Sequence, residues 1–183
     1  MTLQRWKLTV EYDGTNYSGW QIQEDSIPSI QGSLEKALIQ FCQKDIRVQG
    51  AGRTDAGVHA QGQVAHFDLD YGERPLRPHD LMMALNAHLR PQPISVIKAE
   101  KVTDDFHARF GAKHKLYRYR IISRHAPLTY DRSRAWHVKK KIDIQAMNQA
   151  CPELIGKHDF TSFRAAGCQA NSPIRTLDQL YVE

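Results

Sequence analysis

Between Gly50 and Val58 the chain reads "GAGRTDAGV", which places Arg53, Thr54 and Asp55 among Gly50, Gly52 and Gly57. Glycine permits backbone angles closed to other residues and lets a ligand come close. An aspartate in such a place has two readings. It is common turn punctuation, because its carboxylate bonds to its own backbone. It is also a group ionised at neutral pH and fit to act as nucleophile or base. Carboxylates form covalent intermediates at sugar carbons. Glycosidases use a second carboxylate as acid, and none stands out beside this turn. A reaction at a glycosidic bond whose leaving group is a base needs only one.

Other chemistries find little support. Cys42, Cys151 and Cys168 are odd in number and far apart, with no CxxC pair, which argues against a disulfide framework and a structural zinc site. None of the 9 histidines falls in an HxxxH or HExxH arrangement, so no metal is expected. A nucleotide-binding loop and a Ser/His pair are likewise missing. Lys+Arg exceed Asp+Glu by 25 to 20, giving a net charge of +5, a balance suited to a polyanionic partner. The distribution says more than the total. Arg109, Lys113, Lys115, Arg118, Arg120 and Arg124 lead on to Arg132, Arg134 and Lys139, Lys140 and Lys141, with Tyr117, Tyr119, Tyr130 and Trp136 among them. Basic and aromatic residues together can track phosphates and stack bases. The competing reading is a strand pair with a solvated basic face.

The elements that must position these residues follow from periodicity. Leu8, Val10 and Tyr12 alternate with Lys7, Thr9 and Glu11, which predicts a strand buried on one face. Apolar residues recur at Ile30, Leu34, Ala37, Leu38 and Phe41 behind a candidate N-cap at Ser29, the pattern of an amphipathic helix. "DIRVQGAG" predicts a short strand into the turn, and Ala65, Phe67 and Leu69 a strand after it. Pro78 opens a helix bearing Leu81, Leu85 and Leu89, and "PISVIKAEKV" supplies the next strand. The order βαββαβ is that of a ferredoxin-like unit, with Asp55 on the turn between its second and third strands. Farther on, "FHARFGAKHKLYRYRIIS" predicts a long strand or a bent pair, and "RAWHV" another strand. Ile144, Met147, Cys151 and Leu154 suggest a helix that Pro152 ends early. "DFTSFRAAGCQANSP" reads as a loop and "IRTLDQLYVE" as a final strand. Strand, helix, strand over residues 7–52 therefore returns over 134–183 and then stops. The expected fold is α+β: an N-terminal ferredoxin-like lobe at 1–104 and an incomplete second α/β lobe at 105–183, with 123–133 as the connection. A sheet cut short in this way exposes an edge and an apolar face. With 41% hydrophobic residues, 25% charged ones, no membrane-length apolar run and no signal-peptide layout, the cytoplasm is the expected location.

"GRTDAGVHA" resembles the signature of the tRNA pseudouridine synthase A family. "YDGTNYSGWQ" at 12–21, "FHARFGA" at 106–112, "KLYRYRI" at 115–121 and "DFTSFRA" at 159–165 match that family in the same order. The resemblance implies an isomerase that turns uridine into pseudouridine in the tRNA anticodon stem-loop, at tRNA positions 38 to 40, without cofactor or metal. It assigns Asp55 as the catalytic aspartate, acting at the ribose while uracil detaches, rotates and rejoins through C5. Tyr117 matches the tyrosine that packs on the target base and helps remove the C5 proton. Arg53 matches the arginine that holds the flipped nucleotide, with a simple phosphate contact as its alternative. Trp20 and Tyr17 are expected to pack around the active-site lobe. Arg164 either touches RNA or braces its loop. A homodimer gripping tRNA in basic clefts is also implied.

The pattern of that family continues with a "MVRxxVG"-like segment whose arginine pairs with the catalytic aspartate, and nothing in 1–183 matches it. A C-terminally truncated chain is therefore expected, weak or inactive by itself, with an RNA-gripping fragment as the alternative function. A nucleoside hydrolase, which would release free uracil, is a third reading.

Overall fold

The computed structural model describes residues 3–23, 27–72, 75–164 and 172–183. It divides into two compact units, Met1–Arg118 and Tyr119–Glu183.

In the first unit the elements run β1 (Leu3–Tyr12), α1 (Ile30–Cys42), β2 (Gln49–Gly50), β3 (Ala60–Asp70), α2 (Pro78–Leu89) and β4 (Ile94–Val102). The predicted alternation holds in β1, where Trp6, Leu8, Val10 and Tyr12 are buried. Helix α1 starts where Ser29 accepts the Gly32 N–H at 3.1 Å, the bond an N-cap supplies to an otherwise unpaired donor. It ends at Gln43, in the left-handed region at φ 57°, whose N–H donates to the Ile39 carbonyl. Helix α2 opens at Pro78 and buries Leu81, Leu85 and Leu89. Asn86 ties it to the sheet, donating to the Val96 carbonyl at 2.9 Å and accepting the Val96 N–H at 2.8 Å.

The four strands form one antiparallel sheet in the order β2-β3-β1-β4. Trp6 lies opposite Phe67 and Leu8 opposite Ala65, so the core face carries both apolar rows against the helices. The other face pairs Arg5 with Asp68 and Lys7 with His66. A period of two dictates that assignment once one face is buried.

In the second unit β5 (Ile121–Ser123) pairs in parallel with β6 (Trp136–Val138). Helix α3 (Ile144–Ala150) follows, capped by Asp143, which accepts the Ala146 N–H. It gives way at Cys151–Leu154 to a 3-10 turn, as expected of a helix meeting Pro152. Strands β7 (Gly156–Asp159) and β8 (Ile174–Leu177) form a separate antiparallel pair.

Two expectations are corrected. Residues 112–120 form no strand: they lie outside any regular element and are exposed throughout, and regular pairing begins only at Ile121. A strand needs a neighbour for its N–H and C=O groups along its length, and the backbone bond given for this stretch is at its end, where the Arg120 carbonyl accepts the Trp136 N–H at 2.8 Å. The expected loop from Asp159 is preceded by strand β7 and contains a 3-10 turn at Thr161–Phe163. Its part at 165–171, including Cys168, lies outside the described residues. No helix among the described residues is long and apolar enough to cross a membrane.

Candidate active site

The turn bearing Asp55 is shaped from outside by the loop after β1. Trp20 N–H donates to the Thr54 carbonyl at 2.9 Å, and Gly57 N–H donates to the Tyr17 carbonyl at 3.3 Å. These bonds require backbone to meet backbone. Gly19 has φ +103°, and a Cβ there would lie 2.4 Å from the Thr54 oxygen and 3.0 Å from the Asp55 carbonyl carbon. At Gly14 a Cβ would lie 2.1 Å from the Val58 oxygen. Glycine is the residue without the offending atom. Within the turn Val58 N–H donates to the Asp55 carbonyl at 3.2 Å, and Gly57 at φ +78° supplies the positive angle such a turn takes at its third residue.

Side chains complete the support. The Tyr12 hydroxyl and Thr54 Oγ1 are 2.9 Å apart, and Gln63 Nε2 donates to the Gly52 carbonyl at 2.9 Å. Burial raises the Tyr12 phenol above its ordinary pKa, with the hydrogen bonds to Thr54 and Gln63 opposing. Trp20, buried beside Tyr12, has its indole where a Cβ on Gly50 would fall. Tyr17 is buried as well. Trp20 thus packs against the turn, while the Tyr17 hydroxyl is hydrogen-bonded to Ser33 of α1.

Asp55 itself is exposed, and its carboxylate makes no hydrogen bond or ion pair among the described residues. Arg53 is exposed and has a partner of its own. Tyr117 is 66% exposed and Tyr119 86%, so neither is the core tyrosine that strand alternation allows. Lys115 joins the two segments. A Cβ on Gly52 would lie 3.1 Å from its Nζ, which sets an ammonium over the turn three residues ahead of Asp55 and two ahead of Tyr117. In the second unit Arg164 is exposed, its N–H donates to the Thr161 carbonyl, and its charge helps hold the Asp159 carboxyl below the ordinary range behind hydrogen bonds from Thr161.

Sequence reasoning misses the support beneath 104–111. Arg5 makes a two-pronged ion pair with Asp68, 2.7 Å at each contact. Its Nη1 also donates to the Asp104 and Phe106 carbonyls. Hydrogen bonding to Arg5 pulls the Asp68 carboxyl down and the same bond pushes the guanidinium up. Next to this pair His66 is 2% exposed. Its Nδ1 accepts the Ala108 N–H at 3.2 Å, and its ring lies 4.6 Å from that of His107. The only signal in the sequence is a histidine on the polar phase of β3, which by itself predicts an exposed side chain.

Among the described residues no group of three His, Cys, Asp or Glu side chains could hold a metal ion. A family model described as tRNA pseudouridine synthase matches residues 8–111 and 150–183. A tRNA pseudouridine synthase A of Rhodopseudomonas palustris is 58% identical over 180 residues, 98% of this chain and 72% of that protein. Its counterpart in Xanthobacter autotrophicus is 56% identical over 180 residues, with the same shares. In Rhodospirillum rubrum the figure is 54% over 178 residues, 97% of this chain and 63% of that protein. The chain thus spans between 63% and 72% of the length of these relatives.

Proposed function

The chain belongs to the tRNA pseudouridine synthase family, and from that premise we propose that it is an isomerase converting uridine to pseudouridine in tRNA. The uridines are those of the anticodon stem-loop. In the reaction the N1–C1′ bond breaks, a C5–C1′ bond forms, C5 loses a proton and N1 gains one. Atoms and electrons balance within the nucleotide, so no redox cofactor or metal is called for. Asp55 acts at the ribose, Tyr117 packs on the base and assists the C5 proton, and Arg53 holds the extruded nucleotide.

One observation supports these roles best: an exposed carboxylate that makes no hydrogen bond or ion pair among the described residues stands on a turn held by the loop after β1, with the Lys115 ammonium close to Gly52 of that turn. A carbon inside a stacked stem is out of reach, and extruding a nucleotide costs a few kcal/mol. Stacking on an aromatic platform returns about 1–3 kcal/mol. We extend the proposal to the architecture: two ferredoxin-like halves, the first at 1–104 and the second, incomplete, at 105–183. A homodimer working in the cytoplasm completes it.

A second reading has its own observation. The Asp55 carboxylate lacks a cationic partner among the described residues, and the family pattern pairs it with an arginine in a segment that 1–183 does not match. On that reading the chain grips RNA without turning it over. Tritium release from tRNA carrying [5-³H]uridine separates the two. The isomerase reading expects release by the wild type and none by Asp55→Asn. Bound RNA with no release from either protein supports the gripping fragment, and free uracil would mark a hydrolase.

A further inference from the structure

The path from the sheet to the candidate site runs through the turn at 104–111, and that turn is fastened to the polar face of the sheet by side chains acting on backbone. Arg5 holds the Asp104 and Phe106 carbonyls. His66 Nδ1 takes the Ala108 N–H at 3.2 Å. His107 closes the turn on itself, its Nδ1 facing the N–H groups of Arg109 and Phe110 at 3.2 and 3.3 Å. From Gly111 onward nothing regular holds the chain, and the ten residues up to Arg120 are all exposed. The turn at 104–111 is thus the near anchor of the segment carrying Lys115 and Tyr117, while at Arg120 the carbonyl accepts the Trp136 N–H and the guanidinium pairs with Asp131.

We propose that His66 is a positioning residue: as a neutral imidazole it accepts the Ala108 N–H and so fixes the take-off of the segment that carries Tyr117 and sets Lys115 close to Gly52 of the Asp55 turn. The proposal rests on the functional reading above only in calling that segment RNA-facing.

The chemistry follows from which nitrogen faces which donor. A backbone N–H can give its proton only to a ring nitrogen with a free lone pair, so the proton of neutral His66 sits on Nε2. Protonation puts a second N–H on the ring, opposite the Ala108 N–H, and an acceptor becomes a repelling donor. The surroundings favour the neutral form. Burial, then the charges of His107 and Arg5, push the His66 imidazolium below its ordinary pKa, while Asp68 and a backbone hydrogen bond with Gln49 oppose. Lys7, its cross-strand neighbour, is itself engaged by Glu100 of β4 at 3.2 Å. Asp104 and Asp105 act on Arg5. Asp68 is committed to Arg5 on both oxygens, and its charge offsets only part of what burial, His107 and Arg5 do to His66.

The sign is therefore fixed. The unfolded chain takes up the proton at higher pH than the folded chain, so the latch is intact above the ordinary imidazole pKa of about 6.5 and opens as pH falls through the lower folded value.

The test is ¹⁵N NMR on the whole chain, titrated from about pH 8 to about pH 5 across the imidazole range. Imidazole ¹⁵N shifts distinguish an accepting Nδ1 from a protonated one, so the wild type alone reads the state of His66. The proposal expects an unprotonated Nδ1 at neutral pH and loss of Ala108 amide protection on acidification. The Lys115 and Tyr117 amides should shift with the same midpoint. In His66→Asn, whose Oδ1 can take the same N–H and cannot titrate, that common midpoint should vanish. A protonated Nδ1 at neutral pH overturns the proposal, as does an Ala108 midpoint that survives in His66→Asn. Titration of Ala108 with Lys115 and Tyr117 unmoved removes the positioning role. No RNA enters the measurement, so its failure and that of the isomerase reading remain separate results.

Discussion

Replacing Gly19 by alanine should disturb both the fold and the candidate site, by amounts the structure allows to be worked out. Gly19 sits at φ +103°, and its added Cβ would fall 2.4 Å from the Thr54 carbonyl oxygen, where real contacts do not come below 3.0 Å. The oxygen or Gly19 must retreat by about 0.6 Å, and both belong to backbone tied by the Trp20–Thr54 hydrogen bond. Backbone held in a region foreign to alanine costs about 1–3 kcal/mol, and an overfilled contact adds about 1–3 kcal/mol. The expected loss is about 2–6 kcal/mol, a large part of the stability of an ordinary domain. Asp55 follows Thr54 directly. Misplacement of about 1 Å costs about a hundredfold in rate, so a shift of about 0.6 Å costs about fifteenfold. Urea denaturation reads the first figure and tritium release from tRNA the second. A Gly19→Ala protein within about 0.5 kcal/mol of wild type, the range of an ordinary surface change, would refute the claim that the turn is held by backbone contact. Unchanged turnover in a destabilised variant would refute the coupling to Asp55.

Other outcomes follow from the same geometry. Asp55→Asn should leave stability within about 0.5 kcal/mol of wild type, since its carboxylate makes no bond in the described chain; thermal melting checks this. Lys115→Ala should weaken binding of an anticodon stem-loop RNA and lower the slope of log affinity against log salt by about 0.7–0.9, one phosphate's worth, with Lys115→Arg restoring it. Asp68, held down chiefly by its hydrogen bond to Arg5, stabilises the fold above the ordinary aspartate pKa of about 3.9, and that contribution disappears as pH falls through its lower folded value. Asp68→Asn should flatten this acid limb in melting curves. Glu35, buried on α1, accepts the Val48 N–H at 3.0 Å and a hydrogen bond from Gln31. Removing it as Glu35→Ala leaves that buried N–H without its partner and should cost about 1–3 kcal/mol, read by urea denaturation.

The N-terminal sheet and its helices are legible because their signals are local. Ser29 announces α1, Pro78 opens α2, and the alternation through Leu8 and Val10 marks the buried face of β1, all before any contact is known. The Asp55 turn is legible in the same way, as a run of glycines around an aspartate. What escapes is what depends on a distant chain segment. His66 stands on the polar phase of β3 and is buried only because the turn at 104–111 folds over it. Glu35 looks like a solvent residue of an amphipathic helix, yet the strand entry at Val48 turns it inward. The stretch 112–120 has the composition of a strand, but composition cannot supply a neighbouring strand, and the chain there lies outside any regular element.

The contacts at Gly14 and Gly19 bear on how this protein can be re-engineered. The motif around Asp55 is not a self-contained cassette: much of its shape is imposed by the loop at 13–20, which presses on Thr54 and Val58 through positions that tolerate no side chain. A library that randomises 52–58 and keeps that loop will search conformations inside a fixed mould. Grafting "GRTDAGV" alone onto another scaffold will transplant the letters without the mould. The transferable unit is the pair of loops together, and an insertion or deletion near Gly14 should be as damaging to Asp55 as one beside it.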